Sequence, residues 1–374
     1  MTVMKPPRPV IASRRLAVVA VVVPALALAL PSAHGEAAAD PLGSAVVPAA
    51  TSVGAIGAPV AGSVEALPSG SHAGSVGALD AGSDVGFGAA TSSDSSAGAP
   101  IGACEGPAPR VATFGETPPP VLGWTENMAF DGRGRLWVSK TFLYRVDAYD
   151  DDGEVIASVD VRAPGGLALG PDGLMHVAAG TGYLVSRSDL VTFDPSADRP
   201  EARIEARLDT RMNGLAVDAA GNRYLTSLDK VRLTRVGPGG EVDEDWSRAA
   251  ALGVSNGIAI EDGTAYVTQS TDRAAVHAVP LDRPGEWTTT ELTAPPTVPR
   301  GLDDLDITAE SLYVTSWSSG EVYRIDRASG EACVLVGGIP RATSVLVADW
   351  FGDFGPNDLL VTSLHGPIRH VALG

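Results

Sequence analysis

Asn213-Gly214-Leu215-Ala216-Val217 and Asn256-Gly257-Ile258-Ala259-Ile260 are one phrase written twice, 43 residues apart. Four further segments share its grammar, a polar or small residue followed by an apolar-x-apolar stretch. Upstream lie Glu126-Asn127-Met128-Ala129-Phe130 and Gly165-Gly166-Leu167-Ala168-Leu169. Downstream lie Asp303-Asp304-Leu305-Asp306-Ile307 and Thr343-Ser344-Val345-Leu346-Val347. Their third positions step by 39, 48, 43, 47 and 40 residues. Turns such as Asp131-Gly132, Pro171-Asp172-Gly173 and Asp262-Gly263 follow, and then a second β-rich run. Those runs include Leu136-Trp137-Val138, Arg223-Tyr224-Leu225 and Leu312-Tyr313-Val314, and Leu143–Val146 and Val322–Ile325 read as third strands. Strand, tight turn and strand at this period predict a four-stranded propeller blade. Six copies predict an all-β, six-bladed β-propeller over residues 104–374. Arg110–Phe114 is placed to complete the last blade and close the ring, which would remove exposed edges. No segment carries a sustained 3.6-residue apolar period, which argues against a helical solenoid. A pair of β-sandwiches would not produce six evenly phased copies.

The chain ahead of the ring reads differently. Lys5, Arg8, Arg14 and Arg15 precede an apolar run from Leu16 to Leu30, and Ala33-His34-Gly35 offers small residues for cleavage. This predicts a signal peptide over residues 1–35. Its apolar run is shorter than the roughly 20 residues a membrane span needs. Residues 36–103 are almost wholly Ala, Gly, Ser, Val and Pro with scattered acids, and Phe87 is the sole aromatic. Such a stretch buries too little side chain to offset its ordering entropy, so a disordered low-complexity linker is expected. The protein is therefore expected to be secreted or held in the cell envelope, without stable membrane insertion once the signal is removed.

Lys and Arg total 27 against 45 Asp and Glu, a net charge of −18. Nucleic-acid binding runs on basic patches, so nucleic acid is excluded as a partner. Six His and two Cys leave almost nothing to build a zinc cluster or haem site. In an exported chain Cys104 and Cys333 favour one disulfide, with two buried thiols as the alternative.

In a propeller the innermost strand of each blade lines the central channel, and its first residues ring one mouth. That column reads Glu126, Gly165, Asn213, Asn256, Asp303 and Thr343. Two carboxylates and two amides are the oxygen donors a hard divalent cation takes. Without thiolates the set suits Ca²⁺ first, with Mg²⁺ or Zn²⁺ as alternatives. Asn-Gly is also an ordinary turn former, so Asn213 and Asn256 taken alone have a structural reading. Glu126 does not, because Glu is a poor turn residue.

On these residues the chain resembles the regucalcin and gluconolactonase (SMP-30/gluconolactonase/LRE-type) group of six-bladed propellers. The resemblance implies a divalent metal held by Glu126, Asn256 and Asp303 from the first, fourth and fifth blades. It implies that Asn213 binds metal water or substrate, and that Arg211, in Arg211-Met212-Asn213, contacts substrate. It further implies that Asp303 serves catalysis by taking a proton from attacking water. Two departures stand out: Asn127-Met128 follows Glu126 where the family has Gly-Pro, and Gly214 follows Asn213 where it commonly has an acid. The activity implied is hydrolysis of small-molecule lactones or related esters by a monomer. A non-catalytic binding or scaffold ring is the alternative, since fold does not dictate function. No Gly-x-Ser-x-Gly elbow occurs, which argues against a serine triad.

Overall fold

The computed structural model describes residues 101–118, 122–182, 185–270, 274–292, 301–349 and 351–373. The expected signal peptide, and the expected linker as far as residue 100, lie outside them. The described chain is a ring of six antiparallel sheets in sequence order. Blades one, two, four and five run inner to outer as four consecutive strands, beginning Thr125–Phe130, Pro164–Leu169, Ser255–Glu261 and Leu302–Ile307. Blade six takes Ala342–Val347, Leu359–Ser363 and Ile368–Ala372, and Arg110–Phe114 supplies its outer strand. Arg110 pairs with Ala372 and Phe114 with Ile368, so the ring closes as the sequence predicts.

Two details differ from the sequence reading. Blade three has only three strands, Leu215–Val217, Arg223–Leu225 and Thr234–Val236, and a helix, Glu244–Ala249, follows its third strand where a fourth was expected. Asp243 caps that helix by accepting the Trp246 N–H at 3.0 Å, and Glu244 and Asp245 in the first turn favour its N-terminal dipole. Six residues are too few to show a helical period. In blade one the third strand begins at Arg145, because Thr141–Leu143 form a 3-10 turn and Tyr144 adopts φ 55°.

Apolar burial is organised by seams. Six hydrophobic clusters each join two adjacent blades, such as Trp137, Val146 and Val159 of blade one with Val177 and Phe193 of blade two. Trp137 is fully buried, its ring centroid 4.8 Å from that of Phe193. Burying one such large side chain stabilises by roughly 1.5–3 kcal/mol, so each seam is a substantial glue between neighbours.

Hydroxyl groups stitch the same seams near the channel. Ser139 donates to the Gly165 carbonyl at 2.6 Å, Thr181 to that of Met212 at 3.0 Å, and Thr226 to that of Asn256. Thr268 donates to the Asp303 carbonyl, Thr315 to that of Thr343 at 2.9 Å, and Thr343 to that of Thr125 at 2.6 Å. Each bond links one blade to the next, and together they circle the ring. Thr226, Thr268 and Thr315 also accept the N–H of Gly214, Gly257 and Asp304 from their own blades.

Cys104 and Cys333 form a disulfide, with Cα atoms 4.8 Å apart. The lead segment pairs there too: Cys104 N–H donates to the Val334 carbonyl, and Val334 N–H to that of Gly102. Gly102 and Ala103 thus lie against the outer strand of blade five, Ala332–Val336.

Candidate active site

Pairing along five of the six inner strands skips from the first residue to the fourth, for example Thr125–Lys140 then Met128–Val138. The same irregularity occurs at Pro164/Leu167, Ser255/Ile258, Leu302/Leu305 and Ala342/Val345. A bulge re-aims side chains, and here it spans the donor and its successor at Glu126-Asn127, Asn256-Gly257 and Asp303-Asp304. The hydroxyl ring then pins the Asn256 and Asp303 carbonyls, fixing where those side chains start.

The glycine after each Asn has a packing cause. Neither Gly214 nor Gly257 has a positive φ, and Gly257 lies inside a strand rather than a turn. A Cβ on Gly257 would stand 2.4 Å from the Asp304 Cα, and one on Gly214 would stand 2.5 Å from the Asn256 carbonyl oxygen. Inner strands converge so closely that only glycine fits, and Asn-Gly is here a feature of the channel wall.

Glu126, Arg211, Asn213, Asn256 and Asp303 all line one cavity of about 390 Å³ at this mouth. Every residue singled out at the metal and substrate column is therefore brought together, apart from Gly165 and Thr343, which bring no ligand to it. Asn256 donates its amide to Asp303 Oδ1 at 2.7 Å. Glu126 accepts from the Trp124 indole N–H and from the Asn213 amide. Arg211 is ion-paired to Asp229 at 2.7 Å.

Below this level Asp304 Oδ2 accepts from Asn127 at 2.8 Å and Ser344 at 2.6 Å. Asn127 also accepts the Leu167 N–H at 3.2 Å, which gives this chain's departure at position 127 a structural role. Asp304 and Asp306 lie along the central channel, where a second cavity of about 340 Å³ is lined by the inner strands. Asp306 accepts the Val347 N–H at 2.7 Å.

Burial dominates the electrostatics. It raises Glu126 to about 7, with the Asp304 carboxylate adding to the rise and the Trp124 and Asn213 donors opposing it. It raises Asp303 well above the usual carboxylate range, helped by Glu126 and Asp304 and opposed by the Asn256 amide. Burial likewise lifts Asp304 to about 7 against the Ser344 hydroxyl, and Asp306 to about 6. Three acids crowding one another out of water are what a bound cation would relieve. The donor set is all oxygen and fits a hard divalent ion.

Among the described residues, one cluster of three or more acidic, His or Cys ligands lies within reach of a shared ion, and it is elsewhere: Asp150, Asp151 and Asp152. Those residues sit in a turn beyond Tyr149, at the opposite edge of blade one, and Asp150 is already occupied accepting the Glu154 N–H. His176 and His277 are buried in second and third strands, away from the cavity. His370 bonds to Asp358 at 2.8 Å.

Sequence reasoning missed Trp124, Trp317, Met212 and Leu228, which also line the cavity. Trp124 directly precedes the inner strand of blade one, and Trp317 directly follows the second strand of blade five, so position in the repeat could have flagged both.

No curated protein sequence matches this chain. Among solved structures it is similar to a gluconolactonase from Xanthomonas campestris, at 19% identity over 74% of this chain and 98% of that one, with a TM-score of 0.51. It is also similar to a streptogramin B lyase, at 10% identity over 71% of this chain and 98% of that one, with a TM-score of 0.50. Such distant likenesses speak for the fold alone. The sequence profile of the SMP-30/gluconolactonase/LRE-like region, however, matches residues 124–365, from the tryptophan on the cavity wall to the end of the last blade's second hairpin strand and beyond. On that match, the chain belongs to the SMP-30/gluconolactonase/LRE-like family.

Proposed function

We propose that this protein is a divalent-metal-dependent hydrolase of lactones or related esters that works outside the cytoplasm as a monomer. The observation that carries the reading is the convergence of Glu126, Asn213, Asn256 and Asp303, from four blades, on one cavity of small-molecule size. Family membership supports the reaction class. The disulfide supports an oxidising compartment, and no helix among the described residues is long and apolar enough to cross a membrane.

In this reading Glu126, Asn256 and Asp303 hold the metal, with Ca²⁺ the best match to an all-oxygen set and Mg²⁺ or Zn²⁺ the alternatives. When bound, a hard cation polarises the scissile carbonyl and stabilises the charge that grows on its oxygen. The chain's residues do the remaining work. Asn256 orients the Asp303 carboxylate through Oδ1. Asp303 takes the proton from a water whose oxygen bonds to the carbonyl carbon, and that proton then passes to the ring oxygen as its bond to carbon breaks. The product is the open hydroxy acid. Asn213, and Arg211 braced by Asp229, orient the substrate's oxygens.

Asp303→Asn keeps the size and one oxygen but removes the charge and the proton acceptor. Loss of the general base should slow hydrolysis about 10²–10⁴-fold, with weaker metal binding besides. Elemental analysis, metal titration and lactone or aryl-ester turnover on both proteins side by side provide the test. Equal metal affinity and equal turnover would reject the mechanism. Bound metal with no turnover in the wild type would favour a binding platform.

A further inference from the structure

The cavity that holds the donors has an apolar side that the proposed chemistry does not use. Trp124, Met212, Leu228 and Trp317 line it together with the oxygen ligands. The rings of Trp124 and Trp317 lie 6.3 Å apart, inclined at 52°. The Arg341 guanidinium lies 5.2 Å over the Trp317 ring, and the Trp317 N–H donates to the Gly301 carbonyl at 3.0 Å, which together steady that wall. Phe142 meets Trp124 edge-on at 4.9 Å and is itself 43% exposed. Thr125 pairs with Lys140, so the turn carrying Phe142 and the exposed Tyr144 projects from the same mouth as Glu126. The apolar wall therefore continues out onto the rim.

Several polar groups of this lining are already engaged by the scaffold. Thr181 donates its hydroxyl hydrogen to the Met212 carbonyl, and Ser270 donates to the Leu302 carbonyl. Asn256 is held by Asp303, and Arg211 and Asn213, although each also bonds a carboxylate, are the two donors assigned above to the substrate's oxygens. A polyhydroxylated ligand would bury hydroxyls against this wall, and each one left unpaired weakens binding. An alkyl or aryl group meets no such cost there and gains from leaving water.

Resting on the hydrolase reading above, we infer that the substrate is a lactone or ester bearing an apolar alkyl or aryl substituent, seated against Trp124 and Trp317, rather than a sugar lactone. Ring and carbonyl then face the oxygen donors, and the substituent points along the tryptophan wall toward Phe142.

Lactams are isosteric with lactones and resist hydrolysis, so they separate recognition from turnover. We would titrate the purified protein, in calcium-containing buffer, with unsubstituted δ-lactam, alkylated δ-lactam and glucono-δ-lactam, following tryptophan fluorescence and heat. The expected result is a gain of about three- to fourfold in affinity for each methylene buried, with glucono-δ-lactam weakest. Trp317→Ala should flatten that series, and Leu228→Ser provides a second variant in a separate loop. Glucono-δ-lactam binding as tightly as the alkylated one, alkylation bringing no gain, or no lactam binding at all would each overturn the inference. Preferential binding of the alkylated lactam without turnover of the matching lactone would uphold apolar recognition and reject hydrolysis.

Discussion

Trp124 gives its indole N–H to Glu126, and that bond works against what burial does to the carboxyl. Trp124→Phe keeps a ring on the wall and removes the donor. A hydrogen bond to a charged group contributes about 1.5–3 kcal/mol, so metal affinity at neutral pH should fall by roughly tenfold or more. The Glu126 carboxyl should move above about 7, carrying the pH dependence of metal binding upward with it. A pH profile identical to that of the wild type would show that the contact does not tune the site. A second expectation concerns the metal-free protein. Glu126 and Asp304 hold protons up to about 7 when folded, against ordinary carboxyl values of 4.5 and 3.8. Between those limits the folded state binds more protons than the unfolded chain, so stability falls as pH rises through about 7. The melting temperature of EDTA-treated protein should be higher near pH 5 than near pH 8, with added Ca²⁺ narrowing the gap. A melting temperature that rises over this interval would show that these acids are not the burden described.

At the level of the strand, the hydroxyl stitches are the most exacting feature. Thr315→Val removes a buried acceptor from the Asp304 N–H and a donor from the Thr343 carbonyl at nearly constant volume. Leaving both unpaired should cost roughly 2–4 kcal/mol, measured by denaturant unfolding. Thr288→Val, on an exposed outer strand, should stay within about 0.5 kcal/mol. Equal losses in the two variants would deny the stitches their role. The repeat itself was readable because an inner strand must be apolar on a fixed period, and the donor column followed once the phrases were aligned. The stitches were not readable, although three of them directly follow quoted runs: Val138-Ser139, Leu225-Thr226 and Val314-Thr315. Their partners lie in the next blade some 30 residues on, and alternation along one strand carries no trace of that. The helix Glu244–Ala249 escaped for a different reason. Its signal is the cap at Asp243, a local feature that a search for period passes over. The tryptophan wall escaped because a lone aromatic beside a phrase reads as ordinary core.

Across the whole molecule, the disulfide between Cys104 and Cys333 is the pairing that the sequence favoured over two buried thiols, because no other thiol competes. The bond spans 229 residues, and loop entropy sets an upper estimate of roughly 5 kcal/mol for its effect. Replacing both cysteines by Ser should cost about 2–5 kcal/mol in unfolding free energy, while turnover at room temperature persists because the bond lies at the outer edge of blade five. An unchanged unfolding free energy would show that closure of blade six suffices without it. That closure also bears on time. Arg110 finds its partner at Ala372, so the earliest strand of the ring waits for one of the latest. Contacts of such sequence separation slow folding. A nascent chain can form its first hairpins early, but the circle stays open at blade six until the Ile368–Ala372 strand has emerged, and until then the Phe114 side of that seam faces water.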